Sequence, residues 1–409
     1  MENVSSRGSA TRTAAGGAVA LGAAAAGLVW VGAGRHLARV LLTPVYEKVE
    51  DQTILEVTDD TVLLEATPDA VVPGQYGLSL PNDGHARIAD IVERDQPPGT
   101  VRRRLVAVDE GELRPGPARW DQYWFFGPPE VSLGLPTDHI ELDSELGPMP
   151  AWLVPGAASP DAPAARPGTW AVFVHGRGAQ RAETLRGVQV AHRLGVTCLV
   201  PAYRNDVDAP AAVDGRYALG LSEWRDVEAA VQYAAAHGAI DIILFGWSMG
   251  GAIVLQLLDR SVLAPLISRV VLDSPVVSWS EVMRHHARLA KAPPALASMA
   301  ASLMGERRAR RLVGVHEPLD VASTDWPDRA GDLRHPILLI HSLDDEFVPS
   351  SASQRLAAAR PDLIRFEPWR TARHVKEWNV DPQRWEALVT QWVTAAPGNL
   401  VSGSRATTR

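Results

Sequence analysis

From residue 137 onward the chain alternates short apolar, β-branched runs with longer stretches whose apolar positions recur every three or four residues. This pattern predicts strands at 170–174, 197–200, 240–245, 269–272, 336–340 and 363–367, with helices at about 182–194, 222–237, 250–259, 351–359 and 382–395. A shorter pair at 138–143 and 151–154 starts the sheet. Strand-helix alternation of this kind builds an α/β domain, a mostly parallel sheet with helices on both faces. It is expected over 137–397. Between Asp273 and Pro336 lies an insertion, about 275–333, long enough for a small helical cap, with helices around 279–289 and 297–312. The run Pro155 to Gly168, rich in Ala and Pro, reads as a surface loop, and 398–409 as a disordered tail.

Residues 45–135 differ. Alternating runs at 53–57, 61–65, 85–92 and 101–108 are separated by Asp59-Asp60, Pro73-Gly74, Asn82-Asp83-Gly84 and Pro97-Pro98-Gly99, the spacing of a small all-β domain. Arg102 to Arg104 read as a solvated, edge-protecting face. The aromatic cluster Trp120, Tyr123, Trp124, Phe125 and Phe126 is expected to seal this domain against the next.

Ahead of both, in the tail 1–44, the segment 13–34 carries no charged residue and is long enough, as a helix, to cross a hydrocarbon core of about 30 Å. The expectation is an N-terminal apolar helix serving as a single-pass membrane anchor of undetermined orientation. A cleaved signal peptide with Val31-Gly32-Ala33 as its cleavage site, which makes the protein secreted, and a flexible Ala/Gly tail are the alternatives.

Composition narrows the partners. The 409 residues carry a formal net charge of −8, against the surplus of Lys and Arg that a nucleic-acid partner requires. Cys198 is the only cysteine and sits in an apolar run, so neither an intramolecular disulfide nor a thiolate metal site is available, and no HxH or HExxH pattern occurs. No cofactor or metal is expected.

The chemistry concentrates in Gly246-Trp247-Ser248-Met249-Gly250, set between the strand at 240–245 and an Ala/Leu-rich helix. A serine on such a strand-turn-helix apex is held in a strained conformation with its hydroxyl at a helix N-terminus, the arrangement of a nucleophile elbow. His341-Ser342-Leu343-Asp344-Asp345-Glu346-Phe347-Val348-Pro349 and His175-Gly176-Arg177-Gly178 accompany it, and His374 follows the last strand.

With these motifs in this order, the chain from about 137 resembles the α/β-hydrolases, the superfamily of esterases, lipases, thioesterases and serine peptidases. The resemblance implies an acyl-transfer site in the order Ser, acid, His. Ser248 is then the nucleophile and His374 the base. Asp345 is the acid, with Asp273, after the preceding strand, as its rival. Oxyanion donors are the backbone N–H groups of Met249 and Arg177. Two positions depart from the pattern: Ser342 and Arg373 stand where the family usually has Gly. The Arg177 guanidinium either meets a substrate carboxylate or pairs with Glu183 or Asp206. His285, His286 and the Tyr203 to Asp206 run read as packing residues, and Leu289, Leu296, Met299, Leu303 and Met304 of the cap either suit an apolar acyl group or hold the cap to the body.

The reading reached is a membrane-tethered serine hydrolase acting on a small acyl substrate, a carboxylic ester first. A serine peptidase, or a binding protein on a hydrolase scaffold, is the alternative, and the oligomeric state is open. An open pocket lined by the Ser248 hydroxyl and two donors favours the enzyme; burial of the site under the cap or the β domain favours the binding protein.

Overall fold

A computed structural model describes residues 27–46, 49–157, 164–396, 398 and 400. Six strands form a closed barrel: β1 (Gln52–Val57), β2 (Thr61–Glu65), β3 (Tyr76–Leu80), β4 (Gly84–Arg94), β5 (Thr100–Glu110) and β6 (Gly116–Asp121), in the order β1-β2-β5-β4-β3-β6. β3 and β6 escape the periodicity argument because Gly77, Gly116 and Pro117 interrupt their alternation. Yet β6 pairs with both β1 and β3, so it closes the barrel and leaves no free edge.

Arg103 overturns one expectation. It is not on a solvated face but fully buried, donating to the carbonyls of Ala70, Val72, Gly74 and Ala89 and lying against the rings of Tyr76 and Trp120. Burial pulls its guanidinium down to about 10, with no carboxylate bonded to it. A buried cation survives there because four carbonyls satisfy its fork. Its neighbours Arg102 and Arg104 face Glu56 and Asp90 on the outer side, but β5 lies between β2 and β4, so there is no edge for them to protect.

The second sheet has eight strands: β7 (Asp138–Ser144), β8 (Gly147–Val154), β9 (Thr169–Val174), β10 (Thr197–Pro201), β11 (Asp241–Trp247), β12 (Ile267–Asp273), β13 (Ile337–Ser342) and β14 (Ile364–Trp369). Their order is β14-β13-β12-β11-β9-β10-β8-β7, parallel from β9 to β14, with β7 and β8 antiparallel at one edge. The central strands β9 and β11 are buried along their whole length, as a sheet covered on both faces demands. Separate apolar cores fill the two faces.

The barrel docks on the turn after β14. Gln75 and Asn379 exchange backbone and side-chain hydrogen bonds, Lys376 pairs with Asp69 at 2.7 Å, and Phe125 packs on Trp378. Trp124 and Phe125 join a core of the eight-stranded sheet while Trp120 stays in the barrel core, so the aromatic run spans the interface.

The expected span 13–34 lies outside the described residues up to 26. From 27 the chain is helical to 42, where Ala38, Leu41 and Leu42 enter the main core and Gly34 sits against Met299 of the cap. Among the described residues no helix is long and apolar enough to cross a membrane. Of the expected tail, only 398 and 400 are described.

Candidate active site

Ser248 stands between β11 and the helix Met249–Arg260 with φ 49° and ψ −116°, a conformation an L-residue adopts only when its surroundings impose it. The flanks impose it here. A Cβ on Gly250 would lie 2.1 Å from the Val174 carbonyl, and one on Gly246 2.8 Å from Gly250. Backbone bonds then hold the apex: Ser248 donates to the Asp273 carbonyl and accepts from Gly251 and Val276.

Ser248 Oγ lies 3.0 Å from His374 Nε2, and His374 Nδ1 lies 2.7 Å from Asp345 Oδ2. A carboxylate at Nδ1 fixes the proton on that nitrogen and leaves Nε2 free to accept from the serine. Asp345 receives three further donors: the amides of Phe347 and Val348, and His341 Nε2 at 3.1 Å. Burial works to raise its carboxyl, but His374 and His341 outweigh burial and hold it well below the usual carboxylate range. For His374, burial works against the charged ring, yet the Asp345 carboxylate prevails and lifts it above its ordinary value.

Asp273 lies elsewhere. It accepts from Trp385 Nε1 at 2.8 Å and faces Glu377, and its other oxygen, like Glu377 Oε2, meets no other group. Two buried carboxyls cannot face one another without a shared proton. Burial and Asp273 push Glu377 well above its ordinary value, so Glu377 carries that proton. Its Oε1 accepts from Ser274 Oγ and the Ser342 amide, and Ser274 Oγ in turn receives Val375 N–H. The pair thereby ties the ends of β12 and β13 to the histidine loop. Glu377→Gln, which keeps both a donor and an acceptor, is expected to hydrolyse at close to the wild-type rate. Glu377→Ala, which strands Asp273, is expected to lose about 1–3 kcal/mol of stability. A folded-state value raised above the unfolded one makes stability fall as pH rises between the two. The melting-temperature gain of Glu377→Gln over wild type therefore grows from pH 5 to pH 8; a gain independent of pH would sink the shared-proton reading.

The two residues that depart from the family pattern are each held by hydrogen bonds or ion pairs. Arg373, at φ 60°, occupies the left-handed region that glycine usually fills, and its guanidinium reaches the barrel's Asp69 at 3.0 Å and Glu346 at 2.9 Å. Ser342 accepts Ala372 N–H and bonds Asp344, which itself receives Arg373 N–H. Arg177 pairs with neither Glu183 nor Asp206: its guanidinium caps the carbonyls of Val40, Leu41 and Thr43 at the end of the N-terminal helix. Its amide N–H and that of Met249 are engaged by no other group among the described residues. His175 is anchored by Asp206 at 2.9 Å, and Arg204 pairs with Asp226.

His285 and His286 bond the carbonyls of Glu346 and Phe347, steadying the acid loop. Sequence reasoning did not anticipate the contacts made by Glu377, His341 and Glu183. The last joins the barrel's Gln122 to the Gly176 amide, both at 2.7 Å. Their only signal is proximity to a motif.

Residues 171–388, more than half of the chain, match the model of an alpha/beta hydrolase family. The chain belongs to that family. Residues 53–121 of this α/β hydrolase match a domain of unknown function, DUF8805. Among solved structures it is similar to the Pyrococcus furiosus esterase Pf2001, at 18% identity over 65% of this chain and 94% of that one, TM-score 0.48. An Exiguobacterium antarcticum esterase is 13% identical over 63% and 100%, TM-score 0.44. A Mycobacterium tuberculosis puromycin-hydrolyzing peptidase is 18% identical over 85% of this chain and 48% of that one, TM-score 0.48. No curated protein matches the chain.

Proposed function

We propose that this α/β hydrolase cleaves a carboxylic ester with Ser248 as nucleophile, His374 as base and Asp345 as acid. The observation that carries it is the aligned pair of contacts, 3.0 Å from Ser248 Oγ to His374 Nε2 and 2.7 Å from His374 Nδ1 to Asp345, at the wall of a cleft of about 300 Å³. Ser248 Oγ attacks the acyl carbonyl as its proton passes to Nε2, and the developing oxyanion meets the N–H groups of Met249 and Arg177. The imidazolium, stabilised by Asp345, gives that proton to the leaving alkoxide. A water, deprotonated at the same nitrogen, releases the acid and restores the serine.

An open cleft on a strained serine favours an enzyme over a binding scaffold, and its size suits a compact ester better than a threading polypeptide. Attachment to a membrane through 13–34 is a separate proposal resting on the uncharged run alone.

The test is covalent labelling. A fluorophosphonate is expected to modify the folded protein once, on the peptide containing Ser248; a folded protein that stays unlabelled, or is labelled elsewhere, overturns the proposal.

A further inference from the structure

The cleft at Ser248 does not open toward the cap. Of the cap side chains, Leu296, Leu303 and Met304 are buried in the main core, Met299 packs against it and Leu289 points to solvent, and none lines the cleft. The facing wall is the barrel, which contributes Asp51, Asp69, Arg119 and the segment from Trp120 to Tyr123. On the other side of Arg119, Asp121, Tyr123 and Ala179 lies a larger cavity of about 680 Å³. Tyr46, Phe125, Phe126 and Trp152 line it, together with the Tyr123 ring, whose hydroxyl accepts from Gln180 N–H at 2.8 Å.

Acidic side chains outnumber basic ones on these walls, and the basic ones are mostly engaged. Arg119 pairs with Asp121 at 2.8 Å, Lys376 with Asp69 at 2.7 Å, Arg181 with Asp208, and Arg177 with helix carbonyls. Among the described residues Arg181 keeps one buried guanidinium nitrogen without a partner and Arg177 meets only neutral carbonyls, but Asp51, Glu50, Asp83 and Glu183 outnumber these two cations on the walls. An anionic group would enter against that net negative charge. Aromatic walls instead suit a planar apolar group, which stacks and buries area there.

We propose that the barrel is the substrate-selecting half of the site, and that the substrate is an uncharged ester whose carbonyl sits at Ser248 while its aromatic part extends past Tyr123 into the aromatic cavity. The inference rests on the ester-hydrolase reading of Ser248.

The test compares 2-naphthyl acetate with ethyl acetate, with diisopropyl fluorophosphate as a small reporter of the serine. Phe126→Ala removes a ring from the larger cavity, and Ala179→Trp fills the junction. Each is expected to lower kcat/KM for the naphthyl ester relative to the ethyl ester, about tenfold for Phe126→Ala and carried by KM, while the fluorophosphate still reacts. A ratio unchanged in both variants, with the serine still reactive, overturns the role of the barrel and leaves the serine's role intact. A wild-type serine inert to the fluorophosphate overturns the underlying reading instead.

Discussion

Ser248→Ala and His374→Ala should each abolish ester hydrolysis, with a loss in kcat on the order of 10⁶, and the double variant should be no slower than either single one. The expectation follows from the geometry: a proton that must leave Ser248 Oγ has one acceptor at 3.0 Å, His374 Nε2, so removing either partner removes the same step. Residual turnover then comes from the oxyanion donors and binding alone. Neither variant should unfold the protein, since the Ser248 apex is held by backbone bonds and His374 keeps a partly exposed edge. Steady-state rates on a chromogenic ester, with melting curves as a control, check this. Losses that multiply in the double variant would mean that the two side chains act independently, which a nucleophile and its base cannot do.

Asp345→Asn should cost about 10⁴ in kcat, whereas Asp273→Asn should stay within about tenfold of wild type. An amide at 345 can present its N–H₂ to His374 and so favour the tautomer with Nε2 protonated, the wrong one for accepting from Ser248. It also removes the charge that steadies the imidazolium. The pH profile separates this from simple damage. Since His374 is held above its ordinary value by Asp345, wild-type kcat/KM should rise through a limb above about pH 6.5 as the ring loses its proton. Without the carboxylate, the limb of the residual activity should move to lower pH. Equal losses in the two aspartate variants would return Asp273, at the end of β12, to contention.

How much of this was legible beforehand divides along the range of the interactions. The six parallel strands and the elbow could be read because each is encoded locally. Apolar runs four to seven residues long repeat with turn residues between them, and Gly246 and Gly250 are demanded by contacts with the adjacent strand and helix. The order Ser248, Asp345, His374 was implied by the resemblance of three short motifs to those of the family. What the sequence left open, Asp345 against Asp273, needed the distances: the strand ends are neighbours in the sheet, and only the loop after β14 decides which carboxylate meets Nδ1.

Other features belonged to the tertiary structure alone. Arg103 sits in a run of three arginines that alternates like a solvent face, but barrel closure turns it inward, where four carbonyls from distant residues satisfy it. Arg373 breaks the family's glycine because an acid from the barrel, some three hundred residues away in sequence, reaches its side chain. The apolar side chains of the cap stood open between lining an acyl site and holding the cap to the body, since they announce burial without saying against what; the fold uses them on the core and on the helix ending at 42. By itself the sequence determined the parallel sheet and the strained serine that follows β11, because backbone geometry and apolar periodicity are local. Only the folded chain decided which acid faces the histidine and that the barrel forms the facing wall of the cleft at Ser248, because those contacts join segments that no sequence spacing relates.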